Sequence, residues 1–287
     1  RALLANPMGY VKAQIPATQD LPPPPPRHTS SAMRPRPHRS PRPSRGGHQS
    51  VWLYGRHPVL AALANPDRRL ERLLATRDVA DRHAAEFAGS SAKAEILSRE
   101  DLAQRLPAGA VHQGIAALVA PLEEPQIEDL LARCGDDALV LALDQVTDPH
   151  NVGAILRSAA AFGVAGLIVT ERHAPADTGV LAKAASGALE IVPLVRAVNL
   201  SRALDQLKEA GFWLYGLDEG GDVRIGDLDL GGRACIALGA EGEGLRRLTA
   251  EKCDRLVTIP TEAKLASLNV SNAAAIAAYE WKRRRAS

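Results

Sequence analysis

The sequence predicts an α/β protein with two folded units, the larger of which has a mostly parallel sheet. Short apolar segments alternate with helical segments from Val51 onward, and those in the second half are apolar enough to be buried on both faces. An acidic stretch with two prolines, residues 121–129, interrupts the alternation and divides the chain. The 287 residues are sufficient for about two domains with separate cores.

The front unit, residues 51–120, is predicted to be a small α/β domain. Its strands are predicted at residues 73–76, 95–97 and 115–120, after an entry strand that begins at Val51, and its helices at residues 57–64 and 79–88. Residues 121–137 are predicted to form an exposed linker, because an acidic composition punctuated by proline is typical of segments between domains.

The C-terminal unit, residues 138–287, repeats the alternation of strand and helix. Strands are predicted at residues 139–143, 167–170, 191–194, 212–216, 234–238 and 256–259. Helices are predicted between them, at residues 152–162, 180–188, 200–210 and 270–284. Because strand and helix alternate, we expect a mostly parallel sheet covered by helices on both faces.

Residues 1–50 are predicted to be a disordered, basic arm. They contain the proline run from Pro22 to Pro26 and too few apolar residues to form a core. They carry eight Lys or Arg and one acidic residue, so the rest of the chain is mildly acidic. Two alternatives stay open, a polyanion-binding arm and a dispensable leader. Since Met33 opens the basic stretch, residues 1–32 are either native or upstream sequence.

Cysteine spacing and hydropathy argue against several protein classes. Cys134, Cys235 and Cys253 are far apart and have neither metal-ligand nor CxxC spacing, which indicates reduced thiols in a cytoplasmic protein and no metal site. No apolar run approaches the roughly 20 residues of a membrane span, so we expect no membrane partner.

Three polar segments, each at the end of an apolar run, carry the functional signal. They are residues 143–163, 236–245 and 259–280. Ligands of α/β proteins bind at the carboxyl ends of parallel strands, so three such segments predict one composite site.

In the first segment, Asn151 and Arg157 are the candidate functional residues. Asn151 precedes an apolar helix, and an ordinary helix N-cap would also explain it. Arg157 lies on the same helix among small and apolar residues, about 120° around the axis from Asn151. Its alternative interpretation is a solvated arginine on the outer face.

The second segment has the spacing GxxGxG, with Glu241 and Glu243 between its glycines. Glycine allows the backbone to approach a ligand closely, but the spacing matches neither a dinucleotide-binding fingerprint nor a P-loop. A simple turn is the alternative.

In the third segment, Ser267 and Asn269 precede a run of small residues, 273–278. The run predicts a helix in a crowded core or subunit contact. Either polar residue could instead be an ordinary helix cap.

Together, the three segments resemble the three motifs of the SpoU/TrmH branch of the SPOUT RNA methyltransferases. The resemblance extends over residues 139–279 and rests on Asn151 and Arg157, the Gly-Glu-Gly turn, and Ser-Leu-Asn-Val-Ser at residues 267–271. In the front unit, YGRHPV at residues 54–59 and VHQGIA at residues 111–116 resemble the substrate-binding domain of the bacterial large-subunit rRNA guanosine 2′-O-methyltransferases.

This resemblance implies a SPOUT α/β trefoil-knot domain, a homodimer, and S-adenosyl-L-methionine as cofactor. The positions that match the family's catalytic set are Asn151, Arg157, Glu243, Ser267 and Asn269. Those that match its cofactor-lining backbone are Leu217, Gly239, Ile259 and Leu268. The chain departs from the family at Thr261 and Ala263, where Met and Gly are frequent, so the loop after Pro260 is expected to have a different shape.

The expected reaction is methylation of a ribose 2′-hydroxyl, with a guanosine of 23S rRNA or of an assembling large subunit as substrate. Arginine stays protonated, so we expect Arg157 to bind the neighbouring phosphate and not to act as a base. The residues expected to bind RNA are Arg56, Arg283 and Arg284. Two alternatives stay open, a tRNA ribose methyltransferase and a non-catalytic ribosome-assembly factor.

Three histidines are also candidates for a general base: His57, His112 and His150. A lone histidine near a turn is more often a hydrogen-bonded structural residue, so we expect none of them to act as the base.

Overall fold

The computed structural model describes residues 50–172, 179–262 and 268–285. The predicted arm, apart from Ser50, lies outside these ranges, and so do the candidate residue Ser267 and the family departure at Ala263. Among the described residues, no helix has both the length and the apolar composition needed to cross a membrane.

The front unit contains a mixed four-stranded sheet. Its strands are β1 (Val51–Tyr54), β2 (Leu70–Ala75), β3 (Ala94–Ile96) and β4 (Ile115–Val119), in the order β1-β4-β2-β3. Strand β4 is antiparallel to β1 and β2, whereas β2 and β3 are parallel. Its helices are α1 (Arg56–Ala64), α2 (Arg77–Arg82), α3 (Ala84–Ala88) and α4 (Arg99–Gln104). The single helix predicted at 79–88 is therefore wrong in part, because the chain breaks at His83, and α4 was not predicted.

A helix lies within the segment that was predicted to be a linker. Helix α5 (Ile127–Arg133) begins with a capping box, in which the Asp129 carboxylate accepts the Gln126 backbone N–H at 2.8 Å. Ile127 and Leu130 are buried in the core of the C-terminal unit. The expected exposure of this segment is therefore wrong at Ile127 and Leu130, since the apolar side of α5 covers the large sheet.

The C-terminal unit has a seven-stranded sheet in which every described pairing is parallel, so the predicted fold class is confirmed. The strands are β5 (Ala138–Asp144), β6 (Gly166–Thr170), β7 (Leu194–Ala197), β8 (Trp213–Leu217), β9 (Val223–Arg224), β10 (Arg233–Gly239) and β11 (Arg255–Thr258). The helices are α6 (Pro149–Phe162), α7 (Gly179–Ala185), α8 (Leu200–Glu209), α9 (Arg247–Lys252) and α10 (Val270–Arg283). Strand β9 and helix α9 were not predicted.

One predicted strand is displaced along the chain. The strand expected at residues 191–194 begins at Leu194, after a 3₁₀ turn at Ala188–Glu190. Ile191 follows this turn and is 68% exposed, so the apolar run does not lie wholly in the sheet. Proline has no N–H to donate to a strand pair, which agrees with pairing that starts after Pro193.

The order of the strands brings the predicted motifs to one edge of the sheet. The order is β7-β6-β5-β10-β8-β11-β9, so β10 lies between β5 and β8. Gly239 at the end of β10 is paired with Asp144 at the end of β5, and Leu238 with Leu217 at the end of β8. The segments that follow these strands therefore leave the sheet side by side. The trefoil threading stays a prediction, since residues 263–267 lie outside the described ranges.

Helix α10 packs through its small side chains. Its buried alanines are Ala273, Ala274, Ala277 and Ala278. The helix contacts α6, β5 and β10, and alanine permits this close approach because it has no side chain beyond Cβ. The prediction of a helix in a crowded core is confirmed, and the two helices that carry the first and third motifs are held against each other.

Candidate active site

Three side chains from distant parts of the chain meet beside the large sheet. Asn151 lies in the first turn of α6, Glu241 in the loop after β10, and Asn269 immediately before α10. The Asn151 amide donates to Glu241 Oε1 at 3.2 Å, and the Asn269 amide donates to Asn151 Oδ1 at 3.0 Å. Asn269 also donates to Glu241 Oε1. One residue from each predicted motif therefore contributes to a single hydrogen-bonded cluster.

The structure shows which residues cap the two helices, a point that bears on the alternatives for Asn151 and Asn269. The N-cap of α6 is Asp148, whose carboxylate accepts the His150 backbone N–H at 3.0 Å, so capping does not account for Asn151. Asn269 is indeed the N-cap of α10, because its Oδ1 accepts the Ser271 N–H at 2.9 Å. That bond fixes the amide so that its Nδ2 faces Asn151 and Glu241, and Asn269 serves both roles.

A cavity of about 290 Å³ opens at the same edge of the sheet. It is bounded by the ends of β8, β10 and β11 and by the start of α10. The cavity is lined by all four residues that the family resemblance assigned to cofactor binding: Leu217, Gly239, Ile259 and Leu268. Glu241 also lines the cavity, so it belongs both to this space and to the polar cluster.

The cavity has an acidic wall. Its charged lining residues are Asp218, Glu219, Glu241 and Glu243, and none of its described lining residues is Lys or Arg. Carboxylates without neighbouring cations favour a positively charged or hydroxyl-bearing ligand and disfavour a phosphate. S-adenosylmethionine carries a sulfonium, an ammonium and ribose hydroxyls, so this wall and the apolar strand ends fit it.

The glycine-rich loop is closed tightly against β10. A Cβ added to Gly239 would lie 2.0 Å from the backbone carbonyl carbon of Gly244, so only glycine fits there. Gly242 has φ +81°, which side chains other than that of glycine rarely adopt, and the loop turns there to bring Ala240 opposite Gly244. The defined geometry of this turn places Glu241 next to Asn151.

An ion pair fixes the far end of this loop. Asp144, the last residue of β5, has a fully buried side chain and pairs with Arg246, which is about half exposed. Arg246 Nε donates to Asp144 Oδ1 at 2.7 Å, and the Arg246 backbone N–H donates to Oδ2 at 3.1 Å. Charge-assisted bonds of this kind are stronger than neutral ones, so the loop is held at both of its ends.

Two members of the predicted catalytic set do not join the cluster. Arg157 is exposed on α6, and Glu243 is exposed in the glycine-rich loop. Neither has a hydrogen bond or ion pair within the described ranges. Glu241, two residues before Glu243, is the carboxylate of this loop that contacts Asn151 and Asn269. Ser267 lies outside the described residues.

The predicted RNA-binding arginines have partners within the chain. Arg56 lies within 3.4 Å of the His83 ring, and Arg283 pairs with Glu280 at 2.7 Å. The Arg284 guanidinium donates to the backbone carbonyl of Gly226. Arg284 is therefore less available to RNA than a solvated side chain, while Arg283 remains exposed.

The surroundings of His112, Cys235 and Cys253 indicate structural roles for these side chains. His112 accepts the Gly114 backbone N–H at 3.1 Å, as expected for a structural residue in a turn. Burial is the main cause that raises the pKa of Cys253 to about 12 and the pKa of Cys235 well above its ordinary value. Thiols with such pKa values remain protonated near neutral pH and are poor nucleophiles.

Comparison with known proteins finds matches to both units. The SpoU rRNA Methylase family model matches residues 138–279, and a model described as RNA 2′-O ribose methyltransferase substrate binding matches residues 52–125. The 23S rRNA (guanosine-2′-O-)-methyltransferase RlmB of Escherichia coli K12 is 39% identical over 245 residues, which cover 82% of this chain and 99% of that protein. The chain belongs to the SpoU rRNA methylase family.

Further relatives extend the likeness across both units. An uncharacterized tRNA/rRNA methyltransferase of Synechocystis, slr0955, is 41% identical over 240 residues; the match covers 81% of this chain but only 62% of that longer protein. The SpoU methyltransferase AviRb from Streptomyces viridochromogenes, solved in complex with AdoMet, superposes with a TM-score of 0.72 at 25% identity. That match covers 83% of this chain and 91% of AviRb.

The interpretation of the sequence missed the roles of Asp144 and Arg246. Both residues lie at the borders of motifs that were recognised, one at the end of an apolar strand and the other just after the glycine turn. A buried aspartate at the end of a strand requires a partner, and this requirement is the signal that could have pointed to the pair.

We predict that Arg246→Ala lowers the free energy of unfolding by about 2 kcal/mol, because the buried Asp144 carboxylate loses its charged donor. Affinity for S-adenosylmethionine should fall as well, since the loop that lines the cavity is released. Urea denaturation and calorimetric titration measure the two effects. The control is Arg247→Ala, whose exposed pair with Glu251 should contribute less than about 0.5 kcal/mol. Equal effects of the two substitutions would contradict the assigned role of Arg246.

Proposed function

We propose that this protein transfers a methyl group from S-adenosylmethionine to the 2′-hydroxyl of a guanosine ribose in 23S rRNA. The observation that carries the proposal is the cluster of Asn151, Glu241 and Asn269 at the edge of an acidic cavity. Similarity over 99% of the length of the E. coli enzyme RlmB supports the assignment of 23S rRNA as substrate, and the front unit matches the substrate-binding family model.

Bound S-adenosylmethionine would supply an electrophilic methyl group on its sulfonium. Leu217, Gly239, Ile259 and Leu268 would hold it through the strand ends, and the carboxylates of the wall would face its positive charge. AviRb, which has the same fold, was solved with AdoMet bound. The protein must then orient one ribose hydroxyl and weaken the O–H bond of that hydroxyl.

Glu241 is the residue best placed to accept a hydrogen bond from that hydroxyl. Its Oε1 accepts the amide groups of Asn151 and Asn269, while its Oε2 has no partner among the described residues. The two amides therefore hold the carboxylate in one orientation. Oε2 is then left to accept a hydrogen bond from the ribose 2′-hydroxyl. Such preorganised polar groups lower the barrier without rearrangement during the reaction.

Arg157 would bind the RNA phosphate beside the reacting ribose. The side chain is exposed and no described residue neutralises it, so a phosphate can pair with it. A guanidinium remains charged at physiological pH, which excludes it as the base. Phosphate binding by Arg157 would also offset the repulsion between RNA and the acidic cavity wall. Ser267 stays the proposed holder of the loop before α10.

Among the alternative functions, a tRNA ribose methyltransferase uses the same chemistry on another RNA. The substrate-binding match of the front unit and the extent of similarity to RlmB favour rRNA. A non-catalytic assembly factor is disfavoured, because a structural protein has no need of three polar residues aligned beside an acidic cavity. Arg56 and Arg283 remain proposed RNA contacts, and so does the basic arm.

We also propose that two copies associate through α6 and α10, and that the protein works in the cytoplasm, where rRNA is modified. Tyr279 on α10 is 50% exposed and packs edge-on against Phe162 on α6, with ring centroids 6.0 Å apart. A large aromatic side chain left half in solvent is typical of contact surfaces between chains. The packed helix pair offers a rigid surface for a second copy.

Replacement of the proposed phosphate-binding arginine tests the function. Arg157→Ala should lower turnover on a 23S rRNA fragment at least about a hundredfold while the dissociation constant for S-adenosylmethionine changes less than about twofold. Radiolabelled methyl transfer and calorimetry measure these quantities, and mapping of 2′-O-methyl groups identifies the nucleotide. Arg202→Ala on α8 is the matched control. Wild-type turnover by Arg157→Ala would contradict the proposed role of Arg157 in binding the RNA phosphate.

The two carboxylates of the glycine-rich loop provide a second test. Glu241→Gln keeps the size of the side chain but removes its charge, so turnover should fall about a hundredfold. Glu243→Gln, two residues away in the same loop, should retain turnover within about threefold. Single-turnover kinetics with saturating cofactor compare them. A larger loss of turnover for Glu243→Gln than for Glu241→Gln would instead identify Glu243 as the catalytic carboxylate.

Association of two copies is tested at Tyr279. Sedimentation equilibrium of the wild type should give twice the mass of one chain, and Tyr279→Glu should shift it toward one chain by placing a charge in the contact. Leu248→Glu is the control, because Leu248 is similarly exposed, at 58%, but belongs to α9. A monomeric wild type would disprove the dimer.

A further inference from the structure

A buried ion pair joins the front unit to the C-terminal unit. Arg68 lies between α1 and β2, and Glu190 ends the 3₁₀ turn after α7. Their side chains are 3% and 4% exposed, and Arg68 Nη2 lies 2.6 Å from Glu190 Oε1. Arg68 Nε donates to both carboxylate oxygens at 3.1 Å, so the guanidinium and the carboxylate meet through more than one bond.

The remaining polar groups of the pair are satisfied by the front unit. Asn65 Nδ2 donates to Glu190 Oε2 at 2.8 Å, and Arg68 Nη1 donates to the Ala120 carbonyl at 2.9 Å. A buried charge is tolerated only when its partners fully replace water. The Glu190 carboxylate therefore has one favourable position relative to residues 65–68, and this position defines the orientation of one unit on the other.

The surface around the pair is closely packed. A Cβ added to Gly187 would lie 2.7 Å from the Ala61 side chain on α1, and one added to Gly179 would lie 2.8 Å from the Trp52 carbonyl on β1. The Lys183 ammonium lies 5.6 Å from the centre of the Tyr54 ring. Helix α7 and the turn after it thus contact both a helix and a strand of the front unit.

Helix α7 in turn packs against the helix that carries two proposed active-site residues. A Cβ added to Gly153 on α6 would lie 2.4 Å from the Ala184 side chain on α7. Gly153 is two residues after Asn151 and four before Arg157. A continuous series of close contacts therefore connects the front unit, α7 and the start of α6.

We infer that Arg68 and Glu190 are positioning residues for RNA methylation. They fix the front unit on α7, so that RNA bound by the front unit presents its ribose at a set position relative to Asn151 and Arg157. This inference rests on the proposed function. A surface ion pair contributes little to orientation, whereas loss of one partner from a buried pair leaves an uncompensated charge and opens the contact.

The decisive variant is Glu190→Gln in the full chain. We expect the KM for a 23S rRNA fragment to rise about tenfold while the dissociation constant for S-adenosylmethionine stays within about twofold. Hydrogen exchange should accelerate in α1 and in residues 187–192 but not in β10. General unfolding would instead accelerate exchange in β10 and weaken cofactor binding too. The matched control is Glu95→Gln, which removes partly exposed ion pairs with Arg72 and Arg105 inside the front unit.

A double variant keeps the test independent of folding. Arg68→Met with Glu190→Leu removes both charges together, so no buried charge is left alone and the fold should be retained. Its KM for RNA should still be raised, because apolar side chains do not specify the orientation. Wild-type KM and wild-type exchange in both variants would overturn the inference. A wild-type protein that methylates no rRNA would instead overturn the proposed function, while the exchange measurement would still decide whether the pair fixes the front unit.

Discussion

The parallel pairing of β10 between β5 and β8 is the constraint on which the site depends. Residues far apart in sequence become neighbours only because these three strands end at the same level, with Gly239 opposite Asp144 and Leu238 opposite Leu217. A register shift of one residue would put Ile236 and Leu238 on the face that now holds the smaller Cys235 and Ala237, so the cores on the two faces of the sheet would no longer be filled correctly. The apolar core therefore fixes the register, and the register fixes where Glu241 leaves the sheet.

Local interactions then convert this rough placement into a site. The bond between Asp144 and Arg246 and the tight packing at Gly239 hold the glycine-rich loop at its ends. The N-cap bond from Ser271 sets the Asn269 amide, which meets Glu241 across the gap between the loop and α10. Each contact is modest by itself, but together they orient the Glu241 carboxylate through Oε1, while Oε2 has no partner among the described residues.

The sequence was sufficient for the sheet and insufficient for the finer contacts. Strands β5 and β10 were predicted to within one residue because they are continuous apolar runs. Helix α5 was missed because its acidic first turn suits both a linker and a capped helix, and only the burial of Leu130 distinguishes them. The spacing of the glycines likewise cannot show which of Glu241 and Glu243 contacts Asn151 and Asn269. That depends on the direction of the turn at Gly242, which the residue pattern does not predict.

Basic residues illustrate why composition alone does not locate an RNA surface. The C-terminal run 282–285 has the composition of a phosphate-binding patch, yet Arg285 lies 4.0 Å from the Trp281 ring centre and pairs with Asp137 at 2.9 Å. Arg284 is bonded to Gly226, so two of the four cations secure the end of α10 to the preceding loops. Because the Arg285 charge is already paired with Asp137, this side chain would release few counterions on binding RNA. In the proposed reaction, RNA recognition would therefore depend more on Arg157 and on the front unit, which is why we propose that the fixed position of the front unit matters.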